Sequence, residues 1–347
     1  MRDGKDVGVL EKKDLNEKNL IGLMTGRAES GEKSKSVAVQ TKTDNVVMRA
    51  ENLIVWPESK PVNFEVKRGE IVGVTGLDGN GQDDFVKILA GVQESHGGIT
   101  QISDGNGKFI KYNTLDDAKK NGISFVSGDR KKEGILPNLS IYENLVVPLY
   151  KKTSRAGFLG FVDWLELNGI FDWEVDRLSI KTGPRDNLIT SLSGGNQQKV
   201  MIARSFAQHP KVLILNDPAR GIDVSTKRDL YTHLRNYVEE GNTVVFLSSE
   251  LEEFIGLCPK VMVFRNGTVF DIFENEKVNA DTLLEGMFGQ TAGIGETTIS
   301  SKSNTPLMPT PNRKIDNKTP EKKILKVVDF DKENNNENKT KIKIKTF

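Results

Sequence analysis

The chain has 347 residues, 36% of them hydrophobic, and 49 Lys and Arg against 48 Asp and Glu give a formal charge of +1. That balance argues against a general nucleic-acid binder, which is usually strongly basic, and no run approaches the roughly 18 apolar residues of a membrane helix. The opening residues have no apolar stretch of the secretory kind. The single Cys258 has no second cysteine to pair with, so the chain reads as intracellular.

In chain order, the first feature is a repeat. With residues 2–27 set against 265–290 without a gap, seven of twenty-six positions are identical, among them Gly4/Gly267, Asn16/Asn279, Met24/Met287 and Gly26/Gly289. Both copies read as a turn, a short alternating strand, a polar turn and a short helix ending at glycine. Residues 1–27 are therefore expected to be the end of a domain whose other copy is complete at 47–290. The Ser-, Glu- and Lys-rich stretch 28–46 reads as a linker.

Next, the apolar run Ile71-Val-Gly-Val-Thr75 leads into Gly76-Leu-Asp-Gly-Asn-Gly81 and then Phe85-Val-Lys-Ile-Leu89 at helical spacing. A glycine loop between strand and helix can turn backbone N–H groups and a helix N-terminus toward a phosphate, although a plain tight turn explains the glycines equally well. The strict phosphate-loop motif then requires Lys and Ser/Thr, where this chain has Gln82 and Asp83. The stretch 130–190 has helical spacing, with Trp164 and Trp173 expected in its core. In Leu192-Ser-Gly-Gly-Asn-Gln-Gln-Lys-Val200, Ser193 suits a helix cap while Gly194 and Gly195 permit close approach of an anion.

Val212-Leu-Ile-Leu215 and Thr243-Val-Val-Phe-Leu247 are continuous apolar runs, as in strands buried on both faces. Between them, Leu230, Leu234 and Tyr237 share one helical face in a segment that stops at Gly241. Alternating buried strands and amphipathic helices imply a largely parallel sheet. From 291 to 347 the chain carries twelve Lys/Arg, seven Asp/Glu and seven Asn, a composition expected to stay disordered.

The segment 192–200 closely resembles the signature motif of ATP-binding cassette (ABC) transporter ATPases, in the Asn-Gln-Gln-Lys form of sugar and related importers. Other segments resemble that family in register over about 47–290. Val212-Leu-Ile-Leu-Asn-Asp217 resembles the Walker B strand, and Ala219-Arg-Gly-Ile-Asp223 the D-loop. The run from Gly122 to Lys131 resembles the Q-loop region, Tyr142-Glu-Asn-Leu145 the segment that meets the membrane partner, and Leu247-Ser-Ser-Glu-Leu251 the switch loop. The resemblance implies an α/β, P-loop NTPase-like cassette with a mostly parallel sheet, an antiparallel β edge and a helical subdomain at about 130–190.

Residue by residue, it implies nucleotide contacts from Gly76, Leu77, Asp78, Gly79, Asn80, Gly81, Gln82, Asp83 and Asp84, with Trp56 beside adenine. It implies Mg²⁺ at Asp83 and Asn216, the water-activating carboxylate at Asp217 and the switch position at Ser249. Ser193, Gly194, Gly195, Asn196 and Asp223 would face the ATP of a second cassette docked head to tail.

Several positions depart from the family. Gln82 removes the loop lysine. Asp83 adds a carboxylate that, about 4 Å from a phosphate charge, is repulsive by about 4 kcal/mol at an effective dielectric of about 20, unless a cation offsets it. Asn216 stands for the Walker B Asp, Asp217 for the general-base Glu, Gly128 for the Q-loop Gln and Ser249 for the switch His; His96, His209 and His233 are all remote from that motif.

The expected function is the second cassette of an importer for sugars or related solutes, at the cytoplasmic face of the cell membrane as a peripheral protein. It would supply the signature half of a composite ATP site. Its partners would be membrane permease subunits, another cassette and, indirectly, a periplasmic-type solute-binding protein. The alternatives are a non-hydrolysing regulatory cassette, the product of a truncated gene, and nucleosides as the substrate.

Overall fold

The computed structural model describes residues 45–150 and 162–289. The repeat copy at 1–27, nearly all of the linker and the tail at 291–347 lie outside the described residues.

Two sheets make the frame. Val46–Ile54 (β1), Val62–Lys67 (β2), Gly97–Ser103 (β4) and Phe109–Tyr112 (β5) form an antiparallel sheet in the order β2-β1-β4-β5. In β2, Val62, Phe64 and Val66 are buried while Asn63 and Glu65 are exposed, the alternation of a strand with one face on a core.

The second sheet combines Ile71–Gly76 (β3), Ile123–Val126 (β6), Val212–Asn216 (β7), Thr243–Leu247 (β8), Lys260–Arg265 (β9) and Thr268–Glu274 (β10). Its order is β10-β9-β3-β8-β7-β6, parallel throughout except for β10, which pairs antiparallel with β9 at the edge. This is the mixed architecture that the family resemblance implies.

The helices are Gln82–Leu89 (α1), Leu115–Lys120 (α2), Ile141–Val146 (α3), Trp164–Arg177 (α4), Gly194–Phe206 (α5), Val224–Glu239 (α6) and Ala280–Phe288 (α7). Central strands feed two cores because successive side chains point to opposite faces. On β8, Val244 and Phe246 join the core beneath α5 and α6, while Val245 and Leu247 join the one beneath α1 and the antiparallel sheet. Phe246 is wholly buried between Tyr231 and Phe254, both edge-on to it; burying a side chain of that size contributes about 2–3 kcal/mol. Leu230, Leu234 and Tyr237 are the buried face of α6, as their spacing predicts.

Within 130–190, a wide turn at Arg130–Gly134 precedes α3 and α4. The expectation for the tryptophans is corrected here. Trp164 is 57% and Trp173 67% exposed, because α4 turns Leu167, Phe171 and Glu174 inward instead.

Candidate functional site

In open α/β sheets, ligands bind beyond the carboxyl ends of the parallel strands. There, the loops after β3, β6, β7 and β8 enclose a cleft of about 350 Å³. It is lined by Gly76, Asp78, Gly79, Gln82, Asp83, Asn216, Asp217 and Ser249 of the expected site residues, together with Lys87, Ser127, Gly128, Glu133 and Arg220.

Gly79 and Gly81 have φ of 76° and 96°, left-handed values that favour glycine. Gly81 is further constrained, because a Cβ there would sit 2.7 Å from the Cα of Gly267. Gly267 closes the β9–β10 hairpin with Asn266, both at positive φ, the pairing that a tight two-residue hairpin turn prefers. Asn80 ties loop to hairpin: its side-chain oxygen accepts from the Asn266 N–H and its carbonyl from the Gly267 N–H. Trp56 lies against Gly81 and Gly267 and donates its indole N–H to Asp84 at 2.8 Å. Leu77 contributes its carbonyl to the loop's internal bonding.

Among the altered positions, Asn216 bonds to Asp83 and Ser249 to Asp217, while Gln82 bonds to its own loop. Gln82 is 7% exposed and folds back, its Nε2 donating to the carbonyls of Gly76 and Leu77 at 3.1 and 3.0 Å. Asp83 forms an ion pair with Lys87 at 2.6 Å and accepts from Asn216 Nδ2 at 2.6 Å. The two residues expected to share Mg²⁺ therefore bond to each other, with a lysine ammonium as the nearby cation.

Asp217 adopts a left-handed φ of 45° at the end of β7 and accepts from the Ser249 hydroxyl at 3.2 Å. Burial pushes its carboxyl above the usual carboxylate range, and the Ser249 bond partly opposes that. A Cβ at Gly128 would lie 3.0 Å from the Asn216 carbonyl oxygen.

The signature segment is a separate place on the surface. Ser193 is exposed and caps α5, its hydroxyl accepting from the N–H and the Nδ2 of Asn196. Asn196 Oδ1 accepts from the Lys181 N–H, and Gln197 Nε2 donates to the Leu192 carbonyl, so the Asn-Gln pair fixes the approach to the helix. A Cβ on Gly194 would crowd the Arg130 guanidinium at 3.0 Å, and one on Gly195 the Thr226 hydroxyl at 3.1 Å. Asp223 adjoins Gly195 and caps α6, accepting from Thr226 N–H, Thr226 Oγ1 and Ser225 Oγ. The Ser225 hydroxyl bond leads in holding its carboxyl low, at about 2.

Sequence reasoning missed Lys87, Glu133, Arg220 and Arg130. Only Lys87 left a readable sign: it follows Asp83 by four residues in a helix, the spacing of an ion pair.

Residues 59–220 match the sequence model of the family described as ABC transporter. The ribose import ATP-binding protein of Clostridium perfringens is 31% identical over 285 residues, covering 82% of this chain and 55% of that protein. A galactose/methyl galactoside import ATP-binding protein of Mannheimia succiniciproducens is 31% identical over 287 residues, with the same shares covered. The chain thus spans about half the length of the curated relatives it matches.

Among solved structures, a bacterial ABC transporter cassette determined as a dimer superposes with a TM-score of 0.57 at 23% identity, covering 65% of this chain and 98% of that one. An ABC transporter cassette in its ADP conformation gives 0.57 at 17%, covering 71% and 99%. Among the described residues, no helix is long and apolar enough to cross a membrane. With the family match, the relatives and the fold in agreement, this chain carries an ABC transporter ATP-binding domain.

Proposed function

We propose that the chain is the second ATP-binding cassette of an importer for ribose, galactose or related sugars, and that it works through its signature end. It pairs head to tail with a complete first cassette, and the Ser193 segment closes over the ATP held by that partner's phosphate loop. Mg²⁺ arrives with that ATP. Closure moves a membrane permease fed by a solute-binding protein, and hydrolysis at the partner's site reopens the pair.

The residues assigned to this task are Ser193, Gly194, Gly195, Asn196 and Asp223. The observation that carries the reading is the contrast at the two helix starts. Ser193 is exposed beside two glycines, whereas Gln82, Asp83 and Asn216 are engaged with one another, with their own loop and with Lys87. The relatives named for ribose and galactose import support the substrate class.

The test is association. A complete first cassette, blocked in hydrolysis at its own carboxylate, should form an ATP-dependent complex with this chain on size-exclusion chromatography. Ser193→Arg, which sets a bulky side chain against the partner's γ-phosphate, should abolish that complex. A complex that forms without ATP, or that survives the substitution, rejects the reading.

A further inference from the structure

Cassettes of this family use Mg²⁺, yet among the described residues no group of three or more His, Cys, Asp or Glu is placed to hold a cation, and the buried oxygen left without a hydrogen-bond partner at this loop, Gln82 Oε1, is neutral. Asp83 stands at the position that would ligate Mg²⁺, and both its oxygens are already engaged, by Lys87 Nζ and by Asn216 Nδ2 at 2.6 Å each. A carboxylate only accepts hydrogen bonds, so the amide edge turned toward Asp83 must be the NH₂ group, which offers a cation no lone pair. The Ser127 hydroxyl donates to Glu133, and Gly128 has no side chain to offer.

A positive charge is nonetheless present. Lys87 lines the cleft and reaches it from one helical turn beyond Asp83. The start of α1 has no side-chain cap bond, so its first N–H groups carry no side-chain acceptor. The cleft volume of about 350 Å³ is at the small end for a ligand pocket. Asp78, Glu133 and Asp217 share its wall with Lys87 and Arg220, so every added phosphate charge is penalised.

We propose that Lys87 takes the place of the divalent cation at this loop, so that a nucleoside diphosphate binds here without Mg²⁺. The inference rests on the cassette reading only for the class of ligand that the loop takes.

The test is titration of the full chain with a fluorescently labelled ADP, in EDTA and in Mg²⁺. The affinity should differ by less than about twofold between the two conditions. Lys87→Met, leaving Asp83 without its cation, should weaken binding in EDTA by about tenfold or more, with Mg²⁺ restoring part of the loss. Lys87→Arg, which keeps the charge, should stay within about threefold of the unaltered chain. Binding that requires Mg²⁺, absence of saturable binding in either condition, an unaffected Lys87→Met, or equal losses in the Met and Arg variants would each overturn the proposal. Association through Ser193 reads the partner's site, so that result stands independently of this one.

Discussion

At the start of α5, the exposed Ser193 follows an irregular segment and two glycines follow it; at the start of α1, a glycine loop leads into Gln82 and Asp83. Both are helix N-termini of the kind that attracts anions. At the first, capping uses local partners, Asn196 and the backbone, and the face around Ser193 stays open. At the second, side chains reach inward: Gln82 to the carbonyls of its own loop, and Asp83 to Lys87 and Asn216. The same device is thus left unoccupied by side chains at one end of the domain, whereas at the other the protein's own groups take the positions expected to hold the divalent cation. They differ in backbone as well as in side chains, since Gly81 enters α1 in the left-handed conformation and Ser193 enters α5 extended.

The open end depends on support from behind, and the largest effect should come from removing it. Asn144 is fully buried and donates to the carbonyls of Leu136, Leu139 and Ser140, while its oxygen accepts from the Leu136 N–H and from Arg204. Arg204, on the helix that begins at the signature motif, also donates to the carbonyls of Asn144 and Gly134. Asn144→Ala strands several buried groups at once and should cost about 3–4 kcal/mol in urea unfolding. It should also weaken association with a first cassette. Wild-type stability in that variant would show that the signature helix does not lean on this network.

A smaller effect is tied to pH. Glu174 on α4 is 1% exposed, 3.7 Å from Arg177, and burial pushes its carboxyl up to about 7 from an ordinary 4.5. A folded state that holds the proton more tightly is favoured below pH 4.5, and that contribution is lost as pH rises through 7. Glu174→Gln, neutral at every pH, should therefore match the unaltered chain near pH 4 and exceed its stability by on the order of 2 kcal/mol above pH 7. Arg177 also pairs with Glu240 at 3.2 Å, a contact that the substitution does not alter chemically. A gain that is flat from acid to neutral pH would mean that Glu174 is not protonated in the fold.

The frame of the domain was legible in the sequence, and its interior chemistry was only partly so. Continuous apolar runs at 71–75, 212–215 and 243–247 became strands buried on both faces, and one helical stripe became the buried face of α6. These are local patterns with a fixed period. The bond from Asn216 to Asp83 spans 133 positions, and no local pattern encodes it. Trp164 and Trp173 misled because large aromatic residues are mostly buried on average, whereas α4 had enough apolar surface in Leu167 and Phe171 to face inward without them. Asp223 was expected from resemblance to face a partner's nucleotide; its cap of α6 was not anticipated, although Asp three residues before Thr226 is a readable cap position.

The contrast between the two helix starts is tested most directly by ATPase turnover in a mixture of this chain, a complete first cassette and the permease. Ser193→Arg should abolish turnover, because it obstructs the partner's γ-phosphate, whereas Gln82→Ala should lower it by less than about threefold, because position 82 has no charge to lose. Equal losses from the two substitutions, or a loss confined to Gln82→Ala, would contradict the account.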